Sequence, residues 1–129
     1  MTAWNPGELD TRAQFIFQGL IPDLAARGRA FSVDASEVDE ELLALFRDHI
    51  RNLVPSLLQV IARQQELDIR RDAHSLLGMG GTIGIPSLSV VAEELSLGAQ
   101  QGDYRRCSIL AEGLQKWMEF WSEHRRIEP

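Results

Sequence analysis

The sequence predicts an all-α protein, an antiparallel four-helix bundle with an additional N-terminal helix. Three observations carry that prediction. Apolar residues recur at spacings of three and four through four long stretches. Sustained alternation of apolar and polar residues appears nowhere, and even Val90-Val91 lies inside a helical pattern. The Gly, Pro and Asp residues that punctuate the long stretches sit close together, and short connections favour antiparallel neighbours. The 129 residues, 44% hydrophobic and 25% charged, suit one domain with a real core. Residues 1–35 read as the N-terminal helix and connector, and residues 36–129 as the bundle.

The first helix is expected to start at Asn5-Pro6, with Asn as N-cap and Pro at the first helical position. Leu9, Ala13, Ile16 and Leu20 keep its spacing, and Gly19 and Pro22 end it. Asp23 to Arg27 suggests a short turn, and Gly28 to Ala35 a connector. Ser36 reads as the N-cap of the first bundle helix. Glu37, Asp39, Glu40 and Glu41 follow, where acidic groups interact favourably with the helix dipole. Leu42, Phe46, Ile50, Leu53, Leu57 and Ile61 continue this helix, with a kink expected near Arg51 to Pro55. His49 reads as a surface or boundary histidine. The second bundle helix runs from Leu67 to about Gly84. Pro86 opens the third, which carries Leu88, Ala92, Leu95 and Ala99 and ends at Gly102. Asp103 caps the last, whose inner face is Cys107, Leu110, Leu114, Trp117 or Met118, and Trp121. The tail after His124 is expected to fray.

Charge narrows the function. A formal net charge of −6 leaves no excess of cations for nucleic-acid phosphates. Lys116 is the only lysine, and Cys107 the only cysteine. An intramolecular disulfide is thus impossible, and a cytoplasmic setting fits. No secretory signal and no membrane span is expected. His49, His74, His124 and Cys107 show no metal-ligand spacing. The glycine run from Gly78 to Gly84 fails as a nucleotide loop, because Ile83 stands where G-x-G-x-x-G needs glycine and no strand precedes it.

The second bundle helix holds the candidate chemistry. Ile69, Ala73, Leu76, Gly80 and Ile83 form one apolar face. At about 100° per residue His74 points roughly 140° away from it, toward solvent. Arg70, Gly78 and Gly81 share that outward side, Arg71 lies at its edge, and Leu77 falls between the faces. Each interior glycine costs about 0.8–1 kcal/mol relative to alanine. An ordinary surface histidine does not require bare helix below it, so a partner's close approach is the better reason for these glycines.

His74, Leu76, Gly78, Gly81 and Gly84, together with the Arg70-Arg71 pair and Ala73, resemble the motif of the histidine-containing phosphotransfer (HPt) domains of bacterial phosphorelays. The resemblance extends from about Ser36 to about His124. One position departs: Leu77 stands where that family has a lysine. The resemblance implies a four-helix bundle with the histidine exposed on its second helix. It implies that His74 accepts a phosphoryl group from a receiver-domain aspartate and passes it to another receiver. The partners implied are response-regulator receivers and a hybrid sensor kinase, with Mg²⁺ in the receiver and no cofactor here. In that frame Arg70 and Arg71 support the phosphate, and Gly78, Gly81 and Leu77 meet the partner. Two alternatives are a helical adaptor that binds a signalling partner without phosphotransfer, and the phosphoacceptor module of a chemotaxis-type kinase, which requires kinase-domain sequence.

Overall fold

The computed structural model describes residues 5–31 and 39–123, and every element among them is helical. Helix α1 (Pro6–Phe17) opens on a reciprocal cap. The Asn5 side chain accepts the Glu8 N–H at 2.8 Å, and the Glu8 carboxylate accepts the Asn5 N–H at 3.3 Å. A short α2 (Leu24–Gly28) and a 3₁₀ turn (Arg29–Phe31) follow. The bundle is α3 (Glu40–Ala62), α4 (Glu66–Ile83), α5 (Pro86–Gln100) and α6 (Tyr104–Glu123). The expected cap Ser36 lies outside the described residues. Asp39 caps α3, its carboxylate accepting the Leu42 N–H at 2.8 Å, and the helix runs through Pro55 to Ala62. Asp103 caps α6 through the Arg106 N–H at 3.1 Å.

α3 packs on α4 and α6, and α5 packs on the same two, which closes a ring of four. Each turn between bundle helices holds one residue with left-handed backbone: Gln64 (φ 53°), Gly84 (φ 83°) and Gly102 (φ 71°). Glycine adopts that conformation freely, whereas a residue with a Cβ is strained by it. At Gln64 the strain is offset by hydrogen bonds that tie the turn to α3, from Gln64 N–H to the Ile61 carbonyl at 2.9 Å and from Gln65 N–H to the Val60 carbonyl at 3.0 Å.

α1 and α2 lie against α5 and α6. The buried face of α1 is Leu9, Ala13 and Phe17, so Phe17 takes the deep position expected of Ile16, which is only half-buried. The Phe17 ring fills the space above Gly113, where an added Cβ would come within 2.6 Å of it. The Trp117 indole N–H donates to the Leu9 carbonyl at 2.9 Å inside the core. Phe46, Trp117 and Trp121 form a cluster with ring centroids 5.5–6.4 Å apart.

At the rim of this face Glu94 joins both segments, accepting from Arg106 at 2.9 Å and from Arg27 at 3.0 Å. Arg106 also donates to the Leu20 carbonyl at 2.9 Å. Burial alone would raise the Glu94 carboxyl, but the hydrogen bonds and charges of Arg106 and Arg27 outweigh it and hold the group below its ordinary value. Cys107 is buried between α5 and α6, its Sγ 3.5 Å from the Leu95 carbonyl, and burial pushes its thiol upward. Among the described residues no helix is long and apolar enough to cross a membrane.

Candidate functional site

Helix α4 sorts its side chains as its periodicity requires. Ile69, Ala73, Leu76, Gly80 and Ile83 are buried, while Arg70, His74 and Gly78 are exposed and Gly81 is half-exposed. Leu77 is half-buried against the core. His74 therefore stands on the outward side of a helix fixed to the bundle through its inner face.

The four glycines of α4 and its end differ in their surroundings. Gly84 ends the helix in a left-handed turn. Gly80 is a crossing point with α5: a Cβ there would meet the Ser89 Oγ at 2.9 Å, the Leu88 Cβ at 3.1 Å and the Ser89 backbone nitrogen at 3.1 Å. The buried Ser89 hydroxyl donates to the Leu77 carbonyl at 3.0 Å beside that crossing. A Cβ at Gly78 or Gly81 would meet nothing within 4 Å. Internal packing thus accounts for Gly80 and leaves Gly78 and Gly81 without an internal reason.

The two arginines before His74 are engaged with neighbours. Arg70 pairs with Glu66 at 3.4 Å. Arg71 pairs with Asp68 at 3.0 Å and stands 3.8 Å from the Asp72 carboxylate. Asp72 is buried and also accepts from the Ser56 hydroxyl of α3 at 3.0 Å. Exposed pairs such as Arg70–Glu66 contribute about 0–1 kcal/mol, so a phosphate dianion can compete for the guanidinium.

Beside His74 lies an open cleft of about 550 Å³ between α3 and α4. Its floor is apolar, from Leu42, Leu45, Phe46, Met79 and Ile83; the polar groups at its edge are His49, His74, Ser75 and Thr82, and Gly78 completes it. The Thr82 hydroxyl is occupied by the Gly78 carbonyl at 2.9 Å. The His49 Nε2 lies 3.4 Å from the Ser75 Oγ. The sequence alone does not link His49 to His74, and its helical spacing puts Leu42 in one stripe with Phe46 and Ile50. Leu42 is 38% exposed and its neighbour Leu43 is buried instead. A local signal exists in retrospect: Leu42, Leu45 and His49, spaced by three and four, form a stripe along one side of α3.

Among the described residues no group of three or more His, Cys, Asp or Glu side chains is placed to hold a metal ion. No curated protein and no solved structure matches the chain. The family model described as Hpt domain matches residues 41–119, from the first turn of α3 to near the end of α6. With four bundle helices and an exposed histidine on the second, the chain belongs to the Hpt domain family, whose members take part in histidine phosphotransfer in phosphorelays and interact with receiver domains and kinases.

Proposed function

We propose that His74 is the phosphoacceptor of this chain, taking a phosphoryl group from the aspartate of a receiver domain, such as that of a hybrid sensor kinase, and passing it to a response-regulator receiver. The observation that carries the reading is the pairing of an exposed imidazole with two glycines whose missing side chains serve no internal contact. The imidazole must enter another protein's active site, and bare helix at Gly78 and Gly81 lets that protein close on it. In the transfer, the lone pair of one ring nitrogen, Nε2, forms a bond to phosphorus. The aspartyl oxygen–phosphorus bond breaks, and its electron pair leaves on the carboxylate. The proton on the other ring nitrogen stays in place. The reverse exchange hands the group on. Mg²⁺ stays with the receiver. Arg70, one turn before His74, leaves Glu66 to contact the phosphate, and Arg71 is the second candidate.

The test is incubation with a phosphorylated receiver domain, following acid-labile, base-stable phosphate. Wild type is expected to take up one phosphoryl group and His74→Gln none, with the fold of both intact. Arg70→Ala is expected to slow uptake more than Arg71→Ala, and Leu77→Lys in the Arg70→Ala background to restore much of the loss. Phosphate on His49 would overturn the site assignment. Receiver binding by wild type without any phosphate uptake would identify a helical adaptor instead.

A further inference from the structure

A phosphoryl group on His74 carries close to two negative charges on three oxygens, and these need donors. On the N-terminal side Arg70 can leave Glu66 for one of these oxygens, and Arg71 stays paired with Asp68. The next turn offers the apolar Leu77 and the bare Gly78. The remaining direction is the cleft between α3 and α4, whose floor is apolar. Of its polar groups, Thr82 is bonded to its own helix, which leaves the Ser75 hydroxyl and the His49 imidazole. Both histidines line this cleft, and His49 is exposed. The Nε2 of His49 is 3.4 Å from the hydroxyl of the residue next to His74, a contact at the long limit for such a bond and readily exchanged for a stronger one. Gly78, which also lines the cleft, puts no side chain there.

We infer that His49 is a phosphoryl-binding residue: its ring N–H donates to an oxygen of the phosphoryl group on His74 from the α3 side of the cleft. The inference rests on the assignment of His74 as the phosphoacceptor. It places two helices, not one, around the phosphoryl group. A neutral or a protonated imidazole can make the contact, since each carries an N–H. Loss of the group to water passes through a loose transition state in which it resembles metaphosphate and carries less charge on its oxygens. A donor to those oxygens therefore holds the bound dianion more strongly than the departing group, and lengthens its life.

The experiment uses phosphoramidate, which loads histidine without a receiver: its phosphorus–nitrogen bond breaks, ammonia leaves, and the bond to the imidazole forms. The full chain is loaded, the reagent removed, and the loss of phosphate followed by intact mass for wild type, His49→Leu and His49→Lys, with His74→Gln as the loading control. His49→Leu is expected to lose phosphate about five-fold faster than wild type, the scale of one charge-assisted contact near a surface. His49→Lys is expected to return the lifetime to within about two-fold, because lysine restores donors but not the ring. Equal lifetimes for wild type and His49→Leu would overturn the inference while leaving the role of His74 intact. So would a His49→Lys variant as short-lived as His49→Leu, since that marks a packing effect. Failure of the His74 assignment shows separately, as undiminished loading of His74→Gln.

Discussion

The bundle has two faces built to opposite ends. On the α5/α6 side the surface is covered. α1 sets Phe17 over Gly113, Trp117 reaches the Leu9 backbone, and the Arg27–Glu94–Arg106 cluster ties the rim. On the α3/α4 side the surface is left open. Leu42 and Leu45 remain exposed, Gly78 and Gly81 face empty space, and two histidines border the cleft. Glycine makes the contrast sharpest. At Gly113 and Gly80 it exists because something fills the place of its side chain, and at Gly78 and Gly81 nothing does. The same residue type therefore serves close packing in one place and leaves bare helix in the other, which the proposed docking would use. The two uses separate when a side chain is added or removed.

The largest effect is expected on the covered face. Phe17→Ala should cost about 3–5 kcal/mol of unfolding free energy, read from urea denaturation, because the fully buried ring leaves a cavity above Gly113. A loss below about 1 kcal/mol would make α1 an appendage instead of a wall of the core.

Next comes the acidic rim. Glu94 has its carboxyl held below the ordinary value of 4.5, so its contribution is fully present above that value. It is lost as pH falls through the depressed value, since the unfolded chain takes up the proton first. Glu94→Gln should lower stability at neutral pH by about 1.5–3 kcal/mol and flatten the acid limb of a stability–pH profile. A profile parallel to wild type across that limb would remove Glu94 as its cause.

The comparison within α4 is smaller but changes sign. Gly80→Ala should cost about 1–3 kcal/mol through its clash with α5. Gly78→Ala should gain up to about 1 kcal/mol of stability from helix propensity. Thermal unfolding of the two variants reads both. The larger Gly78→Leu should leave helicity unchanged or higher yet weaken binding to a receiver; normal transfer by that variant would assign the bare helix to something other than docking.

Legibility in the sequence followed the range of the interaction. Caps and stops depend on a few adjacent residues, so Asn5, Asp103, Gly84 and Gly102 could be read directly. The inner and outer sides of α4 could be read as well, because one face repeats at five positions over about four turns. What could not be read depends on register between helices. Nothing local pairs His49 with Ser75, 26 positions apart, or Trp117 with Leu9, 108 apart. Periodicity puts Gly80 inside and Gly78 outside, but only Ser89, brought against Gly80 by α5, shows how tightly that place is filled. Leu42 fits an inward stripe on a helical wheel, and only the open cleft shows that its neighbour took the inner place. Gln64 carries no signal for left-handed backbone; the tight turn between α3 and α4 imposes it.

The solitary thiol of Cys107 gives the molecule its own chronometer. It is buried between α5 and α6 and has no second cysteine to pair with. A thiol reagent can modify it only after those helices part. When labelling outpaces reclosure its rate counts openings, and when reclosure is faster it reports the population of the open form. Because the thiol lies away from the α3/α4 cleft, the same mark can be followed before and after a phosphoryl group arrives. Signalling chemistry on one side of the bundle can thus be timed against the breathing of the other.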